Sequence, residues 1–139
     1  APWDMEHVLK KAHSTGNKSI MLTERGSSYG YNNLVVDMRS LSVMSDFNVP
    51  VIFDMTHSVQ LPGGKGATSS GQRGFIPTLS RAAVAAGVDG VFLETHPNPQ
   101  EALSDGPNSM PLDQVRHQVS KLIALHDMVR DRDQYILES

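Results

Sequence analysis

Short apolar runs and longer amphipathic stretches alternate along this 139-residue chain. Three apolar runs, near residues 19–24, 51–57 and 90–96, are continuous rather than alternating. Continuous runs are typical of strands that are covered on both faces, as in parallel sheets. Each run ends in charged or imidazole side chains and is followed by a loop and a helical pattern. The order is one helix and then three strand–helix units, which predicts an α/β fold.

Four stretches show the apolar spacing of amphipathic helices. They run from Asp4 to Gly16, from Asn33 to just before Asn48, from Pro77 to Gly87, and from about Leu112 to Arg130. The last three follow the strands in turn. Residues 26–31, 61–74 and 98–110 are rich in loop-forming residues, with five glycines in the second segment, and we expect loops there.

Composition excludes several classes of function. The net charge is −3 and the pI about 6.0, so no basic surface indicates nucleic acid or an anionic membrane. No apolar run approaches the roughly 20 residues that span a bilayer. The chain has no cysteine, which excludes disulfides and thiolate ligands within it and fits a cytoplasmic protein.

The strand ends carry the candidate chemistry. His57 follows Arg25 by 32 residues and Glu94 follows His57 by 37, each about one strand–helix unit. The Arg25 guanidinium can hold a phosphate bidentately, or form a surface pair with Glu24. His57 suits a metal ligand or a phosphate donor, although a lone histidine at a strand end is more often structural. Asp54 can orient His57 or Arg25 by a hydrogen bond, or be a buried structural residue.

Glu94 and Asp105 occupy matching positions on neighbouring units and complete a set with His57. Three mixed nitrogen and oxygen ligands with open positions suit Zn²⁺, Fe²⁺ or Mn²⁺. His96 shares face parity with Glu94, so it either orients that carboxylate or simply ends the strand. Arg73 adds positive charge nearby without a predicted role.

Several motifs in order resemble one family. They are Glu-Arg-Gly at 24–26, Gly-Tyr-Asn-Asn-Leu-Val-Val-Asp at 30–37, Asp-Met-Thr-His-Ser at 54–58, Gln-Leu-Pro-Gly-Gly at 60–64, Glu-Thr-His-Pro at 94–97 and Ser-Asp-Gly-Pro at 104–107. The chain resembles the 3-deoxy-D-manno-octulosonate 8-phosphate synthases, phosphoenolpyruvate-condensing aldolases. The resemblance covers nearly the whole chain.

The resemblance implies a TIM (β/α)₈ barrel, with residues 1–139 as the C-terminal half of a single domain and roughly its last three βα units. It implies condensation of phosphoenolpyruvate with D-arabinose 5-phosphate, for lipopolysaccharide biosynthesis, in a homotetramer. Arg25 would bind the phosphate of phosphoenolpyruvate, and Gln60 and His57 would contact substrate. His57, Glu94 and Asp105 would be catalytic and would bind metal or position the reacting water.

The resemblance leaves the metal open. In metal-dependent members the counterparts of His57, Glu94 and Asp105 are completed by an N-terminal cysteine, which is asparagine in metal-independent members. Residues 60–64 and 94–96 look closer to the metal-dependent enzymes, whereas Asp-Gly-Pro at 105–107 is common in the others. The balance favours a divalent metal, and none is expected if the protein is metal-independent.

Two alternatives remain. The related short-type 3-deoxy-D-arabino-heptulosonate 7-phosphate synthases share several of the motifs and use erythrose 4-phosphate. The start at Ala1-Pro2-Trp3 reads as mid-chain, and three parallel strands leave two open edges. We therefore also expect that this chain alone is an inactive half-barrel.

Overall fold

The computed structural model describes residues 1–29, 33–65 and 68–130 of the chain, a mixed α/β arrangement. Its strands are β1 (Leu22–Glu24), β2 (Ser27–Tyr29), β3 (Asn33–Val35), β4 (Val51–Asp54), β5 (Gln60–Lys65), β6 (Thr68–Gly71), β7 (Gly90–Phe92), β8 (Thr95–His96) and β9 (Met110–Pro111). Its helices are α1 (Met5–His13), α2 (Met38–Ser45), α3 (Ile76–Ala85) and α4 (Leu112–Arg130).

A three-stranded parallel sheet lies at the centre, in the order β1-β4-β7. Strands thus form at each of the three apolar runs. Val51 and Phe53 of the middle strand are fully buried. Phe92, on the outer strand β7, is 46% exposed, so both faces are covered only at the centre of the sheet. Each outer strand has a single neighbour within the described residues, which leaves one edge open.

Helices α1, α3 and α4 form where the apolar spacing predicts them. Gly16 has a φ of 86° and Gly87 a φ of 97°, left-handed conformations that glycine adopts without strain and that end the first and third helical segments. The buried core joins the helices to the sheet through Leu9, Leu41, Ile76, Leu122 and Phe53. The amphipathic faces therefore cover the sheet and fix its carboxyl edge.

The predicted helix start at Asn33 was wrong, and so was the predicted loop over residues 27–29, which form β2. Residues 33–35 form β3, which pairs antiparallel with β2. Asp37 is extended (φ −84°, ψ 108°), and its carboxylate accepts a hydrogen bond from the Arg39 amide at 3.0 Å. It is therefore an N-cap, and α2 begins only at Met38. Residues 30–32 of the family motif lie outside the described residues.

The predicted loop over residues 61–74 was also wrong for most of its length. β5 and β6 pair antiparallel as a hairpin, with Gln60 opposite Gly71 and Leu61 opposite Ser70. Ladder hydrogen bonds use only backbone groups, so glycine-rich strands can pair without any side-chain pattern. The predicted loop at 98–110 is confirmed except at its last residue: it contains one 3₁₀ turn, Pro99–Glu101, and Met110 begins β9, which pairs with β8. Among the described helices, none is both long and apolar enough to cross a bilayer.

Candidate functional site

His57, Glu94 and Asp105 meet at the carboxyl edge of the central sheet. One ligand atom from each lies within 4.8 Å of the others, and all three side chains are half-buried. His57 follows the end of β4, Glu94 follows β7, and Asp105 lies in the loop before β9. The fold therefore brings together the three residues that the sequence singles out as a set.

Asp54 fixes the orientation of His57. Its Oδ2 lies 2.7 Å from His57 Nδ1, and its Oδ1 accepts the His57 amide at 2.9 Å. A carboxylate only accepts hydrogen bonds, so Nδ1 is the nitrogen that donates to Asp54, and in the neutral ring Nε2 has the lone pair. Nε2 points toward Glu94, with Oε1 3.6 Å away. The expectation that Asp54 orients His57 is confirmed, and Arg25 is not its partner.

Thr56 connects the two strand ends. Its side chain is fully buried, donates to Asp54 Oδ1 at 3.0 Å, and accepts the Glu94 amide at 3.1 Å. The Phe92 ring stacks on His57, with centroids 6.1 Å apart and an interplanar angle of 25°. These contacts hold the imidazole and the Glu94 backbone in one rigid unit.

Asp105 lies in a tight turn with a φ of 51°. Its backbone oxygen accepts the amides of Asn108 at 2.9 Å and Ser109 at 2.8 Å. Gln60 Nε2 lies 3.3 Å from Asp105 Oδ1, a long hydrogen bond across 45 residues of sequence. The Met110 amide then bonds to the Glu94 carbonyl at 2.9 Å, so the turn is anchored beside its partner ligand.

The donor set fits a divalent cation. Ligand atoms about 2.1 Å from one ion lie about 3 to 4 Å from each other. The 3.6 Å between His57 Nε2 and Glu94 Oε1 is within that range, and all three ligand atoms lie within 4.8 Å of one another, slightly above it. In the described part of the chain, neither the Glu94 nor the Asp105 carboxylate has a lysine or arginine partner within 4 Å, and His57 is the one basic residue that approaches Glu94. Glu94 also lines an open cleft of about 420 Å³. The site therefore has negative charge to balance and an open side.

Arg25 and Gln60 are not part of the cluster of His57, Glu94 and Asp105. Arg25 follows β1 at the same sheet edge and is exposed; within the described ranges it forms no ion pair. The Glu24 carboxylate instead accepts from the Gly26 amide and, at 3.2 Å, from Ser40. The surface-pair interpretation of Arg25 is therefore wrong, and phosphate binding stays a prediction. Gln60 reaches Asp105, whereas its contact with substrate is untested.

Sequence reasoning missed the parts that Thr56 and Arg73 play in the site, and it left two interpretations of His96 open. Thr56 gave no signal of its own, although it stands between Asp54 and His57. Arg73 donates to the Gly106 carbonyl, a contact between distant segments that spacing does not indicate. His96 Nδ1 accepts the Asn98 amide at 3.0 Å, and in the described structure its ring forms no hydrogen bond with Glu94, so it closes the turn after the strand.

Comparison with known proteins identifies the family of the chain. A profile described as the DAHP synthetase I family matches residues 1–131. A protein of Dichelobacter nodosus named 2-dehydro-3-deoxyphosphooctonate aldolase is 63% identical over 133 residues, 96% of this chain and 48% of its own. Proteins of the same name from Francisella philomiragia and Xanthomonas axonopodis pv. citri are 60% and 61% identical, over 95% and 94% of this chain and 48% and 47% of theirs.

The chain thus spans about half the length of the curated relatives that it matches. The name that these relatives share is another name for the octulosonate 8-phosphate synthases, so the resemblance drawn from the motifs is confirmed. With a profile match over residues 1–131, the chain belongs to the DAHP synthetase I family.

Proposed function

We propose that the full-length protein condenses phosphoenolpyruvate with D-arabinose 5-phosphate, giving 3-deoxy-D-manno-octulosonate 8-phosphate and inorganic phosphate. The observation that carries the proposal is the convergence of His57, Glu94 and Asp105, of which Glu94 also lines an open cleft. The names of relatives that are 60% identical or more supply the substrate class. The product would serve lipopolysaccharide biosynthesis.

In this reaction C3 of phosphoenolpyruvate attacks the aldehyde carbon of the sugar phosphate, and water adds at C2. Negative charge develops on the aldehyde oxygen, so fixed donors or a cation beside it lower the barrier. Arg25 would hold the phosphate of phosphoenolpyruvate with its planar guanidinium. Gln60 would meet substrate with its amide, from its position against Asp105.

His57, Glu94 and Asp105 are the residues that would hold a divalent metal such as Zn²⁺, Fe²⁺ or Mn²⁺. A bound metal would supply Lewis-acid polarisation of a substrate oxygen or activation of water. Whichever subclass applies, Asp54 keeps the His57 Nε2 lone pair directed at the site, and the two free carboxylates can accept protons from a reacting water. The orientation by Asp54 is thus useful with or without metal.

The proposed architecture for the full-length protein is a TIM (β/α)₈ barrel, of which this chain contributes about the last three βα units. The open edges of β1 and β7 support this, because unpaired parallel strands need neighbours, and so does the greater length of the relatives. The missing half would add the remaining substrate contacts, and the full-length form would be a homotetramer. We therefore expect the 139-residue chain alone to lack turnover.

The deciding experiment measures phosphate release by the full-length protein with phosphoenolpyruvate and either arabinose 5-phosphate or erythrose 4-phosphate. Preference for arabinose 5-phosphate is expected. Preference for erythrose 4-phosphate would establish the heptulosonate synthase alternative, which the names of the relatives do not support. Turnover by the 139-residue chain alone would contradict the expectation that it is inactive.

A further inference from the structure

Residues at the base of the β5–β6 hairpin hold the turn that carries Asp105. They do so through three contacts, together called the grip: Gln60 to the Asp105 carboxylate, Arg73 to the Gly106 carbonyl, and Gly71 against the Asn108 side chain. The contacts come from both strands of the hairpin and from the 3₁₀ turn Arg73–Phe75 that follows it. The hairpin base is thus the outer support of one of the three clustered side chains.

Arg73 acts on the backbone rather than on the carboxylate. Its Nη2 donates to the Gly106 carbonyl, and among the described residues it forms no ion pair with any acid. A guanidinium that paired with Asp105 would neutralise the charge that a cation or a reacting water needs. By holding the neighbouring carbonyl instead, Arg73 fixes the turn and leaves the carboxylate available.

Asn108 and Gly71 form the second part of the grip. Asn108 is fully buried, and its carboxamide lies so close to Gly71 that a Cβ there would stand 1.4 Å from Asn108 Oδ1. Only glycine allows this approach. The backbone N–H of Asn108 donates to the Asp105 carbonyl. Packing of the Asn108 side chain therefore holds the turn at its other end.

We propose that Arg73 is a positioning residue for the reaction, holding the Asp105 turn through the Gly106 carbonyl, with the Gly71–Asn108 contact as its partner. The proposal rests on the proposed function, because that function gives Asp105 its role in the reaction. The left-handed φ of 51° at Asp105 gives the mechanical reason, because a non-glycine residue keeps that conformation only when its surroundings hold it.

Hydrogen exchange followed by mass spectrometry tests the grip without any assumption about activity. In the full-length protein, Arg73→Met should speed exchange of the Asn108 and Ser109 amides about 10- to 100-fold, the range for loss of a charged hydrogen bond. Arg81→Met, an exposed site on α3, is the matched control, and the amides of β4 report global opening. Unchanged exchange in the turn, or equal acceleration in β4, would overturn the proposal.

Kinetics of the same variants separate positioning from general stability. We expect kcat to fall about tenfold or more in Arg73→Met with KM for phosphoenolpyruvate changed less than about threefold, and Arg73→Lys to recover part of the loss. Gly71→Ala should repeat the kcat loss, whereas Gly74→Ala, where a Cβ meets open space, should not. Equal kcat in Gly71→Ala and Gly74→Ala would refute the grip. A wild-type protein without synthase turnover would refute the proposed function instead, while the exchange result would still stand.

Discussion

The contact between Asp54 and His57 yields the sharpest prediction. Asp54 is buried, and its two oxygens accept four hydrogen bonds, three of them at Oδ1 from the Thr56 amide, the Thr56 hydroxyl and the His57 amide. In Asp54→Asn the amide oxygen can keep these three bonds. The new NH₂ group then faces His57 Nδ1, at the 2.7 Å position of Oδ2, and must donate.

A donor at that position demands an unprotonated Nδ1 and moves the proton to Nε2. The imidazole then presents an N–H, rather than a lone pair, toward the space between it and Glu94 Oε1, 3.6 Å away. Loss of such a supporting carboxylate costs about 10- to 100-fold in metal affinity or activity, or about 1.4 to 2.7 kcal/mol. We expect kcat/KM of the full-length protein to fall by this factor.

The assay is steady-state phosphate release, with metal affinity measured by calorimetric titration of the chelator-treated protein with Co²⁺. Asp46→Asn, an exposed carboxylate at the end of α2, is the matched control and should leave kcat/KM unchanged. Activity of Asp54→Asn within about twofold of wild type, with the His57 tautomer shown by ¹⁵N NMR to have changed, would refute the reasoning.

Three further predictions concern neighbouring residues. Arg25→Met should raise KM for phosphoenolpyruvate about tenfold or more, because it removes a bidentate phosphate donor. Thr56→Val should lower the free energy of unfolding by about 1 to 3 kcal/mol in urea titration, because it leaves the partly buried Glu94 amide without its acceptor. The hydrogen bond from the Arg39 side chain lowers the pKa of Asp37 from its ordinary 3.8, so Asp37→Asn should lose stability above that pH, and the loss should fade as the pH falls through the lower folded value.

A specific result would contradict each of these three predictions. An unchanged KM in Arg25→Met would remove that residue from the phosphate site, and Thr56→Ser, which keeps the hydroxyl, should retain most of the stability that Thr56→Val loses. For Asp37 the sign follows from the lowered pKa: the contribution is present above the unfolded value and is lost as the pH falls through the folded value. A stability difference that persists below that range would contradict it.

The elements that the sequence predicts well are those whose burial leaves a pattern. The three apolar runs form the parallel strands, and in the middle strand the absence of alternation matches the burial of Val51, Phe53 and Asp54 beside a partly buried Ile52. His57 and Glu94 converge because the carboxyl ends of parallel strands share one edge, and their spacing by one strand–helix unit is enough to predict that. Asp105 joins them from the loop before β9.

The errors arose where side chains carried no distinguishing pattern. Leu34, Met38 and Leu41 fit the apolar stripe of a helix. Leu34 is nevertheless a buried residue of strand β3, and Asp37 is the N-cap of α2, which begins after it. The β5–β6 hairpin contains glycines, which give no alternation to detect. The role of Arg73 depends on a contact with Gly106, 33 residues away, which only the folded chain shows.

The most direct measurement of the central claim is phosphate release from phosphoenolpyruvate and arabinose 5-phosphate by the full-length protein carrying Glu94→Gln. The matched variant is Glu101→Gln, an exposed carboxylate in the turn after β8. If the site of His57, Glu94 and Asp105 performs the condensation, Glu94→Gln lowers kcat by about 100-fold or more, whereas Glu101→Gln leaves it unchanged. Wild-type turnover in folded Glu94→Gln protein would contradict the account.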